Sequence, residues 1–269
     1  MMITIFTIAG SAVYAAEIPV SDQDQLITSS DWTEISNLQD EMKKEEPDAT
    51  IDYDKALKVY VDCNLIKLQT ADTKKLTSAL ESANYVWVIP FKMEKTYGMF
   101  TVAKGLPLSE EAKSVLTKAE QEEVKNHAGK WMITETAEHT VEPYYDILLE
   151  KREALSDCTR VVLVGSQPGM RQPVALGMDD ETARIWISLG YQYPVMKKIP
   201  ETQNVESGVY SFDSVAEISD TYIEDSEVST GAGVQSRSSM KYVAGIGIVL
   251  IGSILILSVL KKKKIKSED

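Results

Sequence analysis

The stretch YVWVIPFKMEKTYGMFTVAKG, residues 85–105, decides the fold because it contains two β-rich runs separated by a short polar segment. The runs YVWVIPF (85–91) and YGMFTVAKG (97–105) are rich in aromatic and β-branched residues, which fit a pleated and partly buried surface. The polar residues between them favour a turn. This stretch predicts two neighbouring antiparallel strands, and the rest of the fold is built outward from them.

Helices and further strands are predicted on both sides of this hairpin. The helices begin near Thr73, at Ser109 with an end at Gly129, and at Pro143. The other runs with strand composition are 56–68, 131–141, 159–165, 173–178 and 183–191. Because strands arrive in pairs flanked by helices, residues 51–199 are predicted to form an α+β domain, an antiparallel sheet with helices packed on one face. The order helix, strand, turn, strand occurs twice, at about 73–105 and 143–178, which suggests a duplication without residue-level identity.

An N-terminal extension, residues 17–50, precedes this domain. Ser30 is placed to cap a helix over 31–46, which Pro47 ends. Its apolar residues recur at helical spacing and are expected to pack on the domain: Trp32, Ile35, Leu38 and Met42.

The C-terminal region predicts a membrane anchor. Residues 242–260, YVAGIGIVLIGSILILSVL, contain no charge and no proline, and as a helix they would extend about 28 Å. A basic tail, residues 261–269, follows and begins with Lys261, Lys262, Lys263 and Lys264. Basic residues next to a span stay on the cytoplasmic side, so the C-terminus is expected inside and everything upstream outside.

Residues 1–16 have the pattern of a signal peptide, with an apolar run and small residues at Val13 and Ala15 that favour a cut between Ala15 and Ala16. The pattern departs from the usual one because no Lys or Arg occurs before Lys43. An apolar N-terminal strand or helix is the alternative. Export agrees with the orientation that the C-terminal lysines predict.

The segment 200–241 is acidic and rich in Ser, Thr and Gly, and it predicts a loosely ordered stalk between the domain and the membrane. As an alternative, 209–218 adds a last edge strand to the sheet. Residues 17–240 contain 22 basic and 39 acidic side chains, a net charge of −17. Such a surface repels nucleic acid and other polyanions, so no nucleic-acid partner is expected.

Two cysteines, Cys63 and Cys158, are candidates for a disulfide, since an exported domain encounters oxidising conditions. The alternative is two separately buried thiols. Within the span, Gly245 and Gly252 fall near one face of a helix and are candidates for close helix packing, although a plain anchor explains them equally.

Known catalytic and metal motifs are not found in the sequence. His127 and His139 do not have the spacing of a zinc pair, and GSQPG (165–169) lacks the GxSxG frame of a nucleophile elbow, so it is interpreted as a turn. No catalytic residue, cofactor site or metal site is predicted.

The order of segments resembles that of many cell-surface proteins of bacteria with one membrane. The sequence therefore favours a non-enzymatic, membrane-anchored external domain that binds an unidentified protein or ligand. The alternatives are a sensory or regulatory ectodomain that acts with another membrane protein, and an external hydrolase with an unrecognised site.

Overall fold

The computed structural model of the protein describes residues 18–139, 142–165, 167, 170, 172–190, 196–199 and 204–219. Ten strands in these residues form one sheet. They are β1 (Thr50–Ile51), β2 (Leu57–Tyr60), β3 (Tyr85–Lys92), β4 (Tyr97–Lys104), β5 (Trp131–His139), β6 (Arg160–Val164), β7 (Val174–Met178), β8 (Ala183–Ser188), β9 (Asn204–Glu206) and β10 (Val209–Ser211). The predicted hairpin is confirmed as β3 and β4, in register from Val86 opposite Ala103 to Lys92 opposite Tyr97.

The helices of the described residues lie between and before these strands. They are α1 (Trp32–Ile35), α2 (Gln39–Glu45), α3 (Thr73–Glu81), α4 (Glu110–Val115), α5 (Lys118–His127) and α6 (Tyr144–Glu150). Residues 212–219 are also helical. The α+β class that the sequence predicts is therefore confirmed.

Two of the predicted helices are broken in the structure. The one expected from Ser109 to Gly129 ends at Val115, because Leu116 is extended and Thr117 begins a new helix with a capping box to Glu120. The one expected over 31–46 is interrupted by a 3-10 turn at Ser36–Leu38. Ser30 does not cap it, since Asp31 occupies the N-cap position.

The sheet consists of two antiparallel meanders that meet at one parallel junction. Its order is β5-β4-β3-β2-β6-β7-β8-β10-β9, with β1 paired to β3. The prediction of an antiparallel sheet is wrong at β2 and β6, which run parallel. After β5, at one edge of the sheet, the chain forms α6, which packs across a face of the sheet. It then returns to the centre as β6, which runs in the same direction as β2. Which distant strands become neighbours is not encoded in their local patterns.

Helices cover both faces, which corrects the prediction that they lie on one. Alternate residues of a strand point to opposite faces. On the first face, α6 packs through Ile147 and Leu148 against residues that include Val59 and Val88. On the second face, α3 packs through Leu76 and other residues against β6, β7 and β8. Every strand near the centre is therefore buried from both sides.

The second face has two separate apolar clusters. The N-terminal helices cover one of them, in which Ile35 and Met42 pack with Trp87, so the predicted packing of the extension on the domain is confirmed. The other cluster lies under α3 and residues 212–219, where the rings of Trp186 and Phe212 stack with centroids 5.6 Å apart. The residues between these clusters are polar and form the site described below.

The folded domain continues beyond Ile199, where the sequence places its end. β10 pairs with β8, and β9 pairs with β10. Val209 and Val215 are fully buried. The predicted stalk therefore begins too early, and the alternative of a last strand is correct for 209–211. The composition of this segment did not predict that it belongs to the folded domain, because only a few large aliphatic residues make its packing contacts.

No helix within the described residues is both long and apolar enough to cross a membrane. The predicted signal peptide (1–16), span (242–260) and basic tail (261–269) lie outside the residues that the structure describes, as do Lys261 to Lys264, Gly245 and Gly252.

Candidate functional site

An N-terminal segment, residues 18–26, which we call the strap, lies at the junction of β2 and β6. These two strands pair at two positions only, Val59 with Leu163 and Tyr60 with Val164. Next to these two pairs, the backbone of the strap forms hydrogen bonds with β6 and with the residue before β2. Val161 N donates to Pro19 O at 2.7 Å, and Leu26 N donates to Ala56 O at 3.3 Å. We call this junction the seam, because the strap closes it from one end.

Asp24 is the centre of the seam. Its side chain is 3% exposed and accepts hydrogen bonds from the Tyr60 hydroxyl at 2.8 Å and from an Arg160 guanidinium nitrogen at 3.0 Å. The Lys58 ammonium lies 3.8 Å from Oδ1, the same carboxylate oxygen that accepts from Tyr60. Ser21 Oγ donates to it at 2.6 Å. One buried carboxylate thus joins β2 and β6 to the strap, and we call Asp24, Lys58, Tyr60 and Arg160 the charged centre.

The second face of β2 and β3 provides an aromatic wall for Lys58. Its ammonium lies 4.5 Å from the centroid of the Tyr85 ring and 5.2 Å from the Trp87 ring, distances at which a cation is attracted to a π face. Burial lowers the pKa of Lys58, and the nearby Asp24 carboxylate opposes this effect. The lysine is therefore held by rings and by one carboxylate.

A second carboxylate, Asp31, anchors the start of α1 to the same wall. The Tyr85 hydroxyl donates to Asp31 Oδ2 at 2.8 Å and Trp87 Nε1 donates to it at 3.0 Å. The strap and the helix that follows it are thus attached to the sheet by two carboxylates seven residues apart.

The polar contacts of the charged centre and of Asp31 attach the strap and α1 to the sheet. Burial is the main cause that raises the pKa of Tyr60 and of Tyr85, so both phenols remain protonated donors to carboxylates. Both oxygens of the Asp24 carboxylate are already engaged, Oδ1 by Tyr60 and Lys58 and Oδ2 by Ser21 and Arg160. Arg160 Nε is buried and has no hydrogen-bond partner in the described part of the chain. The charged centre holds segments together and lacks a paired nucleophile and base.

The candidate disulfide is not formed, and the structure has the alternative of two separate thiols. Cys63 and Cys158 are both free thiols. Cys63 packs against the cluster under α3 on the second face, whereas Cys158 belongs to the cluster on the first face. The sheet lies between the two sulfur atoms, which excludes a bond. Burial raises the pKa of Cys63 to about 12 and that of Cys158 to about 11.

Neither histidine belongs to the charged centre, since β5 and the end of α5 lie at the β4 side of the hairpin and the charged centre lies at its β2 side. His127 ends α5, and the backbone of His139 pairs with Tyr97 at the edge strand β5. No group of three or more metal-ligating side chains occurs in the described residues.

Gly165 and Gln167 are tied to the loop after β2, and the other residues of the predicted turn 165–169 lie outside the described residues. The buried Gln167 amide donates to Cys63 O at 2.6 Å and to Gly165 O at 2.9 Å, and its Oε1 accepts from Leu65 N at 3.1 Å. Nothing in the sequence singled out Gln167.

A surface depression of about 480 Å³ lies beside α3. It is lined by Leu68, Thr70, Lys75, Ser78, Ala79 and Ser82. Three hydroxyls and one exposed lysine are compatible with many ligands, so this depression defines no particular chemistry.

The charged centre was missed at the sequence level, although two signals pointed to it. Lys58 interrupts the apolar run 56–61, and Arg160 opens the run VVLV in β6. A charge on a strand that is buried on both faces requires a partner. The partner, Asp24, lies 136 residues before Arg160 and could not be paired with it from sequence.

Comparison of the chain with known protein families, with characterised proteins and with solved structures finds no match in any of the three.

Proposed function

We propose that this chain is a single-pass membrane protein whose folded domain lies outside the cytoplasm and acts as a non-enzymatic binding or interaction module. The observation that carries the proposal is the charge-free segment 242–260 followed by four lysines. A hydrophobic segment of this length with a basic flank favours a span with the C-terminus inside.

Two features of the domain support a binding role over an enzymatic one. The buried charges that an active site would use are engaged with each other, since Asp24 pairs with Lys58 and Arg160. The tyrosines of the same site remain protonated donors, as described above. The remaining charge is mostly acidic and on the surface, which favours a cationic or neutral protein partner.

The topology is tested with protease added to intact cells that produce the full chain with an epitope after Asp269. The domain should be digested and the epitope spared. Protection of the domain together with the epitope would contradict the external location, and digestion of both would contradict the membrane span.

The binding role is tested by capture of partners on the full chain in detergent. Membranes from the producing cells are compared for the wild-type chain and for a variant with Lys261 to Lys264 replaced by Gln. Because these lysines favour the predicted orientation, the protease experiment is first repeated on the variant, and the comparison uses it only where its domain is still digested from outside. A partner of the domain should then be captured by both chains, and capture that is lost in the correctly oriented variant would place the interaction at the tail and overturn the proposed role of the domain.

A further inference from the structure

Strand β5, at one end of the sheet, has an open edge. In the described part of the chain β4 is its only partner strand, and no loop or side chain there bonds to the β5 backbone outside this ladder. The N–H and C=O groups on the outer side of β5 therefore have no partner among these residues. A row of such groups is a template on which another extended chain can pair.

The opposite end of the sheet differs in length and in charge. There β9 has three residues, and its Glu206 forms an ion pair with Lys151 at 3.3 Å. β5 has nine residues, and its exposed Glu135 and Glu138 have no ion pair or hydrogen bond within the described residues. A short strand with a paired charge leaves little for a partner to bind, so β5 is the edge suited to accept another strand.

The two carboxylates of β5 define which side chains fit beside them. Glu135 pairs with Thr101 and Glu138 pairs with Gly98, so the two glutamates lie three positions apart and point to opposite faces. A strand laid along β5 in either direction places two residues, also three positions apart, directly beside them. Opposite charges across a strand pair are stabilising and like charges are destabilising. The edge therefore favours a segment with Lys or Arg at both of these positions.

The same edge is poorly suited to a second copy of this chain. Thr134 is an extra residue in the ladder with β4, between Ile133 and Glu135, and such bulges disfavour edge-to-edge pairing of sheets. A second copy would also bring the same two carboxylates, and each copy has the net charge of −17 over residues 17–240. These charges repel another copy and attract a basic segment, so one feature provides both effects.

We propose that the outer edge of β5 binds an extended segment of another protein in which two basic residues, three positions apart, meet Glu135 and Glu138. Main-chain hydrogen bonds to β5 hold the segment, and the two carboxylates select it. This inference rests on the proposed binding function and gives the chemistry of the partner.

The test measures the binding of fluorescent peptides to the full chain in detergent by anisotropy. The probe is a short peptide of Thr and Val with two lysines three positions apart. One control peptide has the same composition with the lysines two positions apart, so that only one can meet a carboxylate. The other control keeps the sequence of the probe and has N-methyl groups on its backbone amides, which blocks pairing and keeps the charge.

The probe should bind at least several-fold more tightly than either control peptide. Equal binding of the N-methylated peptide would show that the acidic surface attracts any basic peptide, and equal binding of the respaced peptide would show that the two carboxylates select nothing. Either result overturns the proposal.

Charge reversal on the protein tests the same contact. Glu135→Lys combined with Glu138→Lys should weaken binding of the probe at least several-fold and should create binding of a peptide with Glu in place of both lysines, which also shows that the variant is folded. Glu123→Lys combined with Glu153→Lys, at exposed positions away from β5, changes the net charge equally and should leave binding of the probe unchanged. Equal weakening in the two variants, or an edge variant that does not bind the glutamate peptide, contradicts the proposal.

Hydrogen exchange then locates the peptide. The probe at saturation should slow amide exchange in β5 and leave β9 unchanged. Binding without protection of β5 overturns the proposal, and protection of β5 by a concentration-dependent dimer without peptide would make a second copy the occupant. These measurements do not depend on membrane orientation, so their failure leaves the proposed topology intact, and a failed protease experiment would leave the peptide result intact.

Discussion

At the scale of single residues, Asp24 is a buried carboxylate that pairs with two cations. Asp24→Asn keeps the shape of the side chain and removes the negative charge that pairs with both Lys58 and Arg160. Loss of one member of a buried charge cluster costs about 3–5 kcal/mol. We expect that decrease in the free energy of unfolding, measured by urea denaturation. Asp22→Asn, at an exposed carboxylate two residues earlier, should stay within about 0.5 kcal/mol of the wild type.

The two thiols give a second prediction. With dithionitrobenzoate at neutral pH, the native protein should react slowly, because both thiols are shielded and their pKa values are raised. In urea both should react, giving two thiols per chain. A urea-unfolded sample in which no thiol reacts would show that Cys63 and Cys158 are joined after all.

The same pKa shifts predict how stability depends on pH. A thiol whose pKa is raised in the folded state binds its proton more tightly there, so its stabilising effect is complete at low pH and is lost as pH rises above the ordinary thiol value of 9.0. The free energy of unfolding should therefore fall from about pH 9, up to about pH 11 for the contribution of Cys158 and up to about pH 12 for that of Cys63. In the variant Cys63→Ser/Cys158→Ala the fall should be shallower, and an identical slope in both proteins would count against the thiols as its source.

At the scale of elements, α3 depends on its N-cap. Asp72 Oδ1 accepts hydrogen bonds from the amides of Lys74 and Lys75. The helix buries Leu76 and Leu80 completely, so fraying of its first turn disturbs the core. We expect Asp72→Ala to lower the free energy of unfolding by about 1 kcal/mol.

Asp72→Asn is the matched control for this prediction, because asparagine is as good an N-cap as aspartate and the change should cost only a few tenths of a kcal/mol. Equal losses in the two variants would mean that charge, and not capping, is what Asp72 contributes.

Elements were predicted well wherever a local pattern determines them. The β-rich composition of 85–91 and 97–105 is enough to identify β3 and β4, and the helix predicted to begin near Thr73 is found as α3. Two kinds of feature could not be predicted in this way. The parallel contact of β2 with β6 joins residues about a hundred positions apart, and the burial of Asp24 depends on Lys58 in β2 and on Arg160, which lies 136 residues later. Local periodicity contains no information about either.

At the scale of the whole molecule, the boundary of the domain is set by its last strands. A chain that ends after Ile199 lacks β10 and Phe212, so it exposes the edge of β8 and the ring of Trp186. A chain that ends after 219 keeps both. We expect the shorter chain to aggregate and to bind a hydrophobic dye, and the longer one to remain monodisperse in size-exclusion chromatography. A shorter chain that is equally well behaved would show that β9 and β10 are dispensable.

The two meanders also differ from the seam in how far apart in sequence their contacts lie. Within each meander most neighbouring strands follow one another in the chain, although β8 pairs with β10, whereas the bond from Arg160 to Asp24 closes a loop of 136 residues. Long loops are costly to close, so contacts within the meanders should form early in folding and the seam should form after the rate-limiting step. Asp24→Asn should then accelerate unfolding and leave the refolding rate nearly unchanged in stopped-flow experiments. A refolding rate that drops with the loss of stability would instead place the seam in the folding nucleus, and a newly made chain would need its N-terminus in place before either half of the sheet could form.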